Sequence, residues 1–94
     1  MKSKDKKADD NAHAWYDKGC EFKRAGNLKA AVESFSKAID CDTQFARAYF
    51  TRGASYYLLG RYRLAGIDMD AATLLGCQDA QLWSRFDMKC FVEL

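Results

Sequence analysis

Two consecutive stretches of 34 residues decide the fold, because they carry the same pattern twice. Residues 12–45 are AHAWYDKGCEFKRAGNLKAAVESFSKAIDCDTQF, and residues 46–79 are ARAYFTRGASYYLLGRYRLAGIDMDAATLLGCQD. A third alanine, Ala80, stands at the position where the pattern would start again. The two stretches are identical at seven positions: Ala12/Ala46, Ala14/Ala48, Gly19/Gly53, Gly26/Gly60, Ala31/Ala65, Ala38/Ala72 and Gln44/Gln78. A fixed period of this length indicates a chain built from repeated structural units.

The apolar residues within each unit have helical spacing. Ala12, Trp15, Gly19 and Phe22 follow one another at steps of three or four residues, which places them on one face of a helix. Helix starts and stops are expected at Asp10 or Asn11, Gly26–Asn27, Asp42–Thr43, Gly60, Gly76–Cys77 and Asp79. These boundaries predict five helices, and the short loops between them make neighbouring helices antiparallel.

Composition excludes several classes of protein. The formal net charge of +2 over 94 residues gives no strong field for nucleic acid or for an anionic membrane. No apolar run approaches the roughly 20 residues of a membrane span. Residues 1–11 are charged and contain no apolar core of a signal peptide, so we expect a disordered charged tail and a cytoplasmic protein.

The cysteines do not form a metal-binding pattern. Cys20, Cys41, Cys77 and Cys90 contain no CxxC pair, and His13 is the only histidine. We therefore expect free thiols in a reducing compartment and neither a metal nor another cofactor.

The recurring residues resemble the tetratricopeptide repeat family, whose 34-residue helix-turn-helix unit carries Trp, Gly, aromatic, Gly, Ala, aromatic and Ala at fixed positions. The first copy supplies Trp15, Gly19, Phe22, Gly26, Ala31, Phe35 and Ala38, and the second supplies Tyr49, Gly53, Tyr56, Gly60, Ala65, Met69 and Ala72. The resemblance implies an all-α superhelix, a right-handed solenoid of five antiparallel helices. Its domain would span residues 12–94, with repeats at 12–45 and 46–79 and a capping helix at 80–92.

Two pairs of positions depart from the family pattern. Lys18 and Arg52 stand where the family usually has leucine, and Thr43 and Cys77 stand where it usually has proline. None of these breaks a packing requirement that the sequence reveals.

The small residues support the same packing on physical grounds. A glycine inside a helix costs about 1 kcal/mol relative to alanine, so Gly19 and Gly53 predict a close approach between neighbouring helices. In the third copy, Asp87 and Cys90 replace the glycine and the aromatic residue. A last helix with no helix after it needs neither, which is why residues 80–92 are interpreted as a cap. The large rings are expected in the core: Trp15, Phe22, Tyr49, Tyr56 and Trp83.

The resemblance further implies a concave groove lined by the first helix of each repeat. The corresponding residues here are His13, Tyr16, Cys20, Lys23, Arg47, Phe50, Thr51, Tyr57, Arg85, Met88 and Phe91, with Ala54, Gln81 and Ser84 beside them. This mixture of apolar area and cations suits a peptide or partner segment with apolar side chains and an acidic group or C-terminal carboxylate. Each of these side chains has an alternative role, as a packing residue or as a solvated charge.

One use of the family can be tested by position. Chaperone-binding members hold a C-terminal carboxylate with Lys, Asn and Arg at positions that correspond to Tyr16, Cys20, Thr51, Gln81 and Arg85. Only Arg85 matches, and pairing two carboxylates requires several fixed donors. The sequence therefore argues against that chaperone site.

Four classes of function remain to be compared. A non-catalytic protein-interaction module fits the groove best. A self-associating scaffold or homodimer is the alternative, because the predicted cap carries extra apolar residues: Leu82, Met88, Phe91, Val92 and Leu94. The low net charge argues against RNA binding. The lack of a nucleophile–base pair, a phosphate loop and a metal set in the sequence argues against an enzyme.

Overall fold

The described part of the chain is entirely helical. A computed structural model describes residues 2–78, with side chains from residue 11 onward. Within that range it contains four helices: α1 (Lys2–Arg24), α2 (Leu28–Cys41), α3 (Ala46–Leu58) and α4 (Tyr62–Leu74). The predicted all-α fold is confirmed, and the predicted capping helix at residues 80–92 lies outside the described residues.

The helices pack in the order of the chain. α1 packs on α2, α3 packs on α4, and α2 joins the two pairs by packing on α3. The connections between them are only three or four residues long, so consecutive helices lie as antiparallel neighbours. α1 also contacts α3, but much less extensively than the consecutive helices contact each other.

Glycine ends three of the helices in the same way. Gly26, Gly60 and Gly76 have φ values of 87°, 82° and 92°, a left-handed conformation that favours glycine. The residue after each glycine donates its N–H back to the last helical turn: Asn27 to Phe22 O at 2.9 Å, Arg61 to Tyr56 O at 2.8 Å, and Cys77 to Ala72 O at 2.9 Å. The helix stops predicted at these glycines are confirmed.

The two predicted helix caps between the helices have different outcomes. Asn27 is the N-cap of α2, and its side-chain oxygen accepts the backbone N–H three residues later at 3.3 Å, as predicted. At Asp42–Thr43 only the stop is confirmed. The Asp42 carboxylate instead accepts the Gln44 N–H at 3.0 Å in a local turn, and Phe45 becomes the N-cap of α3 without a side-chain hydrogen bond.

Close contacts at two glycines fix the packing within each repeat. A Cβ added at Gly19 would lie 2.6 Å from the Phe35 ring, and one added at Gly53 would lie 2.9 Å from Met69 Cε. The predicted close approach is therefore confirmed, and the two seams are related by the same 34-residue shift. Around them the four repeat alanines are fully buried: Ala31, Ala38, Ala65 and Ala72.

The predicted aromatic core is only partly confirmed. Trp15, Phe22, Tyr49 and Tyr56 are half-buried, whereas the largest fully buried side chains are those of Phe35, Met69 and Ser55. In each repeat one large side chain, Phe35 or Met69, fills the seam beside the glycine, and the other large rings are left partly exposed. Trp83 lies outside the described residues.

The start of α1 differs from the prediction. The helix begins at Lys2, so residues 2–11, expected to form a disordered tail, continue α1, and the caps expected at Asp10 and Asn11 lie inside it. Extending an existing helix adds one hydrogen bond for each residue fixed. The segment also contains alanine and lysine, which are favourable in a helix, and it has no proline, which would break one.

Candidate peptide-binding groove

A hydrogen bond joins the first helices of the two repeats. Tyr16 on α1 places its hydroxyl oxygen 3.4 Å from Thr51 Oγ1 on α3. The Thr51 hydroxyl donates to the backbone carbonyl of Arg47 at 2.8 Å, so the Tyr16 hydroxyl is the donor across the groove. Two residues predicted to line the groove are thus in contact between α1 and α3.

An aromatic cluster forms one end of the groove. The His13 and Phe45 rings have centroids 5.0 Å apart, and the Tyr16 ring lies 5.1 Å from Phe45 and 5.6 Å from Phe35. Tilted pairs at these distances are favourable by about 0.5–1.5 kcal/mol beyond the area that they bury. The cluster orients Tyr16 and gives this end of the groove an apolar wall.

The other end of the groove is cationic. Cys20, Lys23, Arg24 and Thr51 surround a shallow cleft of about 200 Å³. Lys23 and Arg24 lie in the last turn of α1, where positive charge is favoured by the helix dipole. From His13 to Lys23 the helix rises about 15 Å, which matches four or five residues of an extended peptide.

The chain matches the family model described as TPR repeat, over residues 19–60. The matched segment contains both seam glycines and the end of α1, all of α2 and α3, and the glycine turn before α4. The chain belongs to the tetratricopeptide repeat family. Repeats of this family form protein-interaction modules, so membership supports that class of function for this chain.

Named relatives of this TPR chain are found in animals and in an archaeon. It is 38% identical to neutrophil cytosol factor 2 of Mus musculus over 64 residues and 32% identical to that of Homo sapiens over 66 residues. These matches cover 68% and 70% of this chain but only 12% of either relative. An uncharacterised protein of Methanocaldococcus jannaschii is 35% identical over 54 residues, which are 57% of this chain and 63% of that protein.

The second TPR repeat directs its predicted groove residues toward another part of the molecule. Phe50 and Tyr57 pack against the buried cluster of Met69, Ala72 and Cys77 beside α4. The Tyr57 ring also lies 5.0 Å from that of Tyr62. They are therefore separate from the cleft between α1 and α3. Arg47 is exposed one turn before Thr51 on α3, and Arg85, Met88 and Phe91 lie outside the described residues.

An ion pair that the sequence did not reveal holds three helices of the TPR pair together. Arg52 on α3 donates from Nε and Nη2 to the two carboxylate oxygens of Asp68 on α4, both at 2.8 Å. Its Nη1 donates to Ser36 Oγ on α2 at 3.0 Å. The guanidinium also lies 5.8 Å from the ring centroids of both Tyr49 and Tyr56. The hydrogen bond to Asp68 raises the pKa of Arg52, although burial acts in the opposite direction, so the side chain stays charged.

The position of Arg52 explains one departure from the family pattern. The usual leucine would fill the junction between α2, α3 and α4 by apolar packing, whereas Arg52 fills it with a bidentate pair to a carboxylate that is itself almost completely buried. The available signal was Asp68, a charged residue next to Met69 within the apolar stripe of α4. The aromatic Phe45 gave no signal, since the first repeat has Asn11 at the corresponding position.

The described residues carry neither a metal-ligand cluster nor a membrane-spanning helix. Among the described side chains, residues 11–78, His, Cys, Asp and Glu form no group of three that could hold a metal ion. Within residues 2–78, each helix is too short or too polar to cross a membrane. Cys20, Cys41 and Cys77 are free thiols.

Proposed function

We propose that this chain is a non-catalytic protein-interaction module that binds a short peptide segment in the groove between α1 and α3. The observation that carries the proposal is the arrangement along α1. An aromatic wall of His13, Tyr16 and Phe45 stands at one end, and Lys23 and Arg24 stand about three turns away. An apolar side chain would pack against the rings while an acidic group meets the cations.

The cationic end favours a ligand with a carboxylate. Lys23 is half-buried and lines the same cleft as Cys20 and Thr51. A carboxylate placed there would gain a charge-assisted hydrogen bond from Lys23. If the carboxylate is the C-terminus of the peptide, amidation of the C-terminus should weaken binding. If it is an acidic side chain, amidation should leave binding unchanged.

The test is a selection of peptides from a random display library with the full chain, followed by affinity measurements on two charge-reversed variants. Lys23→Glu should lower the affinity for acidic peptides about tenfold, because an attraction between opposite charges is replaced by a repulsion between like charges. Lys29→Glu is the matched control, since Lys29 is exposed on α2 and does not line the groove. Equal losses in both variants, or none in either, would contradict binding in this groove.

Self-association is the second candidate function, and the outer face of α4 favours it. Leu64, Ile67 and Leu74 are 38%, 57% and 87% exposed, although they lie at three- and seven-residue steps on one helix. The corresponding residues of α2 are mostly polar: Ala30, Glu33 and Asp40. A homodimer through this face, or through residues 80–92 as the sequence suggests, would show a doubled mass by light scattering at several hundred micromolar. Its mass would return to that of the monomer in Ile67→Glu.

We further propose a cytoplasmic location. The animal relatives are named as cytosol factors, and free thiols are the usual state of cysteines in a reducing compartment.

A further inference from the structure

A second cleft opens between α1 and α2 on a different face from the groove. Its lining includes Trp15, Lys18 and Phe22 from α1 together with Ser34 and Lys37 from α2, and its volume is about 230 Å³. Every lining residue belongs to the first repeat. We call it the N-terminal cleft.

The second repeat shows what covers the corresponding face one unit later. In the second repeat, 34 residues later, Arg52 corresponds to Lys18 and Asp68 corresponds to Ser34. At that face α2 packs on α3, and Ser36 of α2 accepts a hydrogen bond from Arg52 at 3.0 Å. A helix therefore occupies this face in the second repeat and supplies a polar oxygen to the cation.

The charges of the N-terminal cleft differ from those of the second repeat. Lys37 and Lys18 place their ammonium nitrogens 4.5 Å and 5.5 Å from the ring centroid of Trp15. The indole attracts both cations, but the two cations repel each other. In the second repeat the carboxylate of Asp68 neutralises Arg52, whereas the corresponding residue in the cleft is Ser34, which has only a hydroxyl group and is buried. Glu33 offsets one of the two lysines, which leaves an excess of positive charge.

We propose that the N-terminal cleft docks a helix of a partner protein in the place that α2 takes on the second repeat. The partner helix carries an acidic side chain at the position equivalent to Ser36, and its carboxylate lies between Lys18 and Lys37 at the edge of Trp15. The half-buried rings of Trp15 and Phe22 supply the apolar contact. The carboxylate compensates the two ammonium groups, a role that a neutral or basic helix could not fill.

The probes are helix-stabilised peptides with the sequence of α2, residues 28–41, carrying Asp, Ser or Lys at position 36. They are titrated into the full chain while the indole N–H resonance of Trp15 is followed by NMR, with Trp83→Phe used to assign it. The Asp peptide should shift this resonance and bind roughly fivefold tighter than the Ser peptide, and the Lys peptide should bind more weakly than either.

Charge reversal distinguishes a specific site from adsorption to the chain. In Lys18→Glu the order of the peptides should invert, so that the Lys peptide binds best. Lys29→Glu makes the same change in net charge outside the cleft and should leave the order unchanged. A Trp15 resonance that stays fixed with the Asp peptide, equal affinities for the three peptides, or equal effects of the two variants would each overturn the proposal.

Discussion

Replacing Gly19 by alanine tests the packing between α1 and α2, because it adds a single methyl group at the point where α1 contacts the Phe35 ring of α2. Alanine is the better helix former, so the local effect of the substitution alone is stabilising by about 1 kcal/mol. The new Cβ, however, would lie 2.6 Å from Cε1, 2.7 Å from Cδ1 and 3.0 Å from Cζ of Phe35. Phe35 is fully buried, so its ring has no free space into which it could move.

The expected change in the free energy of unfolding is the cost of overpacking minus the gain in helix propensity. Overpacking a close-packed core costs typically 1–3 kcal/mol, and three ring carbons inside normal contact distance favour the upper end. After subtraction of the propensity gain, Gly19→Ala should lower the free energy of unfolding by about 2 kcal/mol. In a domain of this size that corresponds to a fall in melting temperature of roughly 8–16 °C.

Two other glycines provide controls of the same chemical change. Gly66 lies within α4, and a Cβ added there has no neighbour within 4 Å, so Gly66→Ala should raise the free energy of unfolding by about 0.5–1 kcal/mol. Gly53 should be intermediate, because its nearest neighbour is the flexible end of Met69 at 2.9 Å, but Ala65 O is also only 3.2 Å away.

The assay is thermal and urea unfolding of the three variants, followed by helical circular dichroism. We expect stability to increase in the order Gly19→Ala, Gly53→Ala, Gly66→Ala. A Gly19→Ala protein as stable as Gly66→Ala would refute the seam between α1 and α2 as described.

Three further substitutions give predictions with the same unfolding assay. Asp68→Ala should cost about 2–4 kcal/mol by leaving the half-buried guanidinium of Arg52 without its carboxylate. Combining it with Arg52→Met should recover much of the loss, and a double variant whose loss equals the sum of the two single losses would argue against the pair. Gly26→Ala should cost about 1–2 kcal/mol although no atom lies within 4 Å, because φ is 87° there; a gain in stability would contradict that backbone. Ala65→Leu should cost roughly 1–3 kcal/mol at a fully buried position, and an unchanged midpoint would count against the repeat alignment.

Much of the fold could be predicted because the information is local and repeated. A glycine in a helix interior and a glycine in a left-handed turn each have a specific physical cause, and the 34-residue period allowed one copy to support the other. Gly19, Gly53, Gly26 and Gly60 therefore indicated both the seams and the helix ends. The grouping of Tyr16 with Thr51 was implied by the resemblance to the family, whose first helices line a common groove.

The remaining features depend on contacts between residues whose pairing has no repeated pattern. Arg52 and Asp68 have no counterpart pair in the first repeat, so only the three-dimensional packing shows that the two charges meet. Phe45 contributes to the groove from a helix cap, where the preceding copy has Asn11. The exposed fraction of Trp15 depends on which helices pack against it, and that is decided only by how the helices assemble.

The most direct test of the central claim is an NMR titration of the full chain with an acidic peptide selected from the library, with shifts mapped onto the helices. The account predicts the largest shifts at Tyr16, Cys20, Lys23 and Thr51, between α1 and α3. Shifts confined to Ile67 and its neighbours on the outer face of α4, with the groove unchanged, would contradict it.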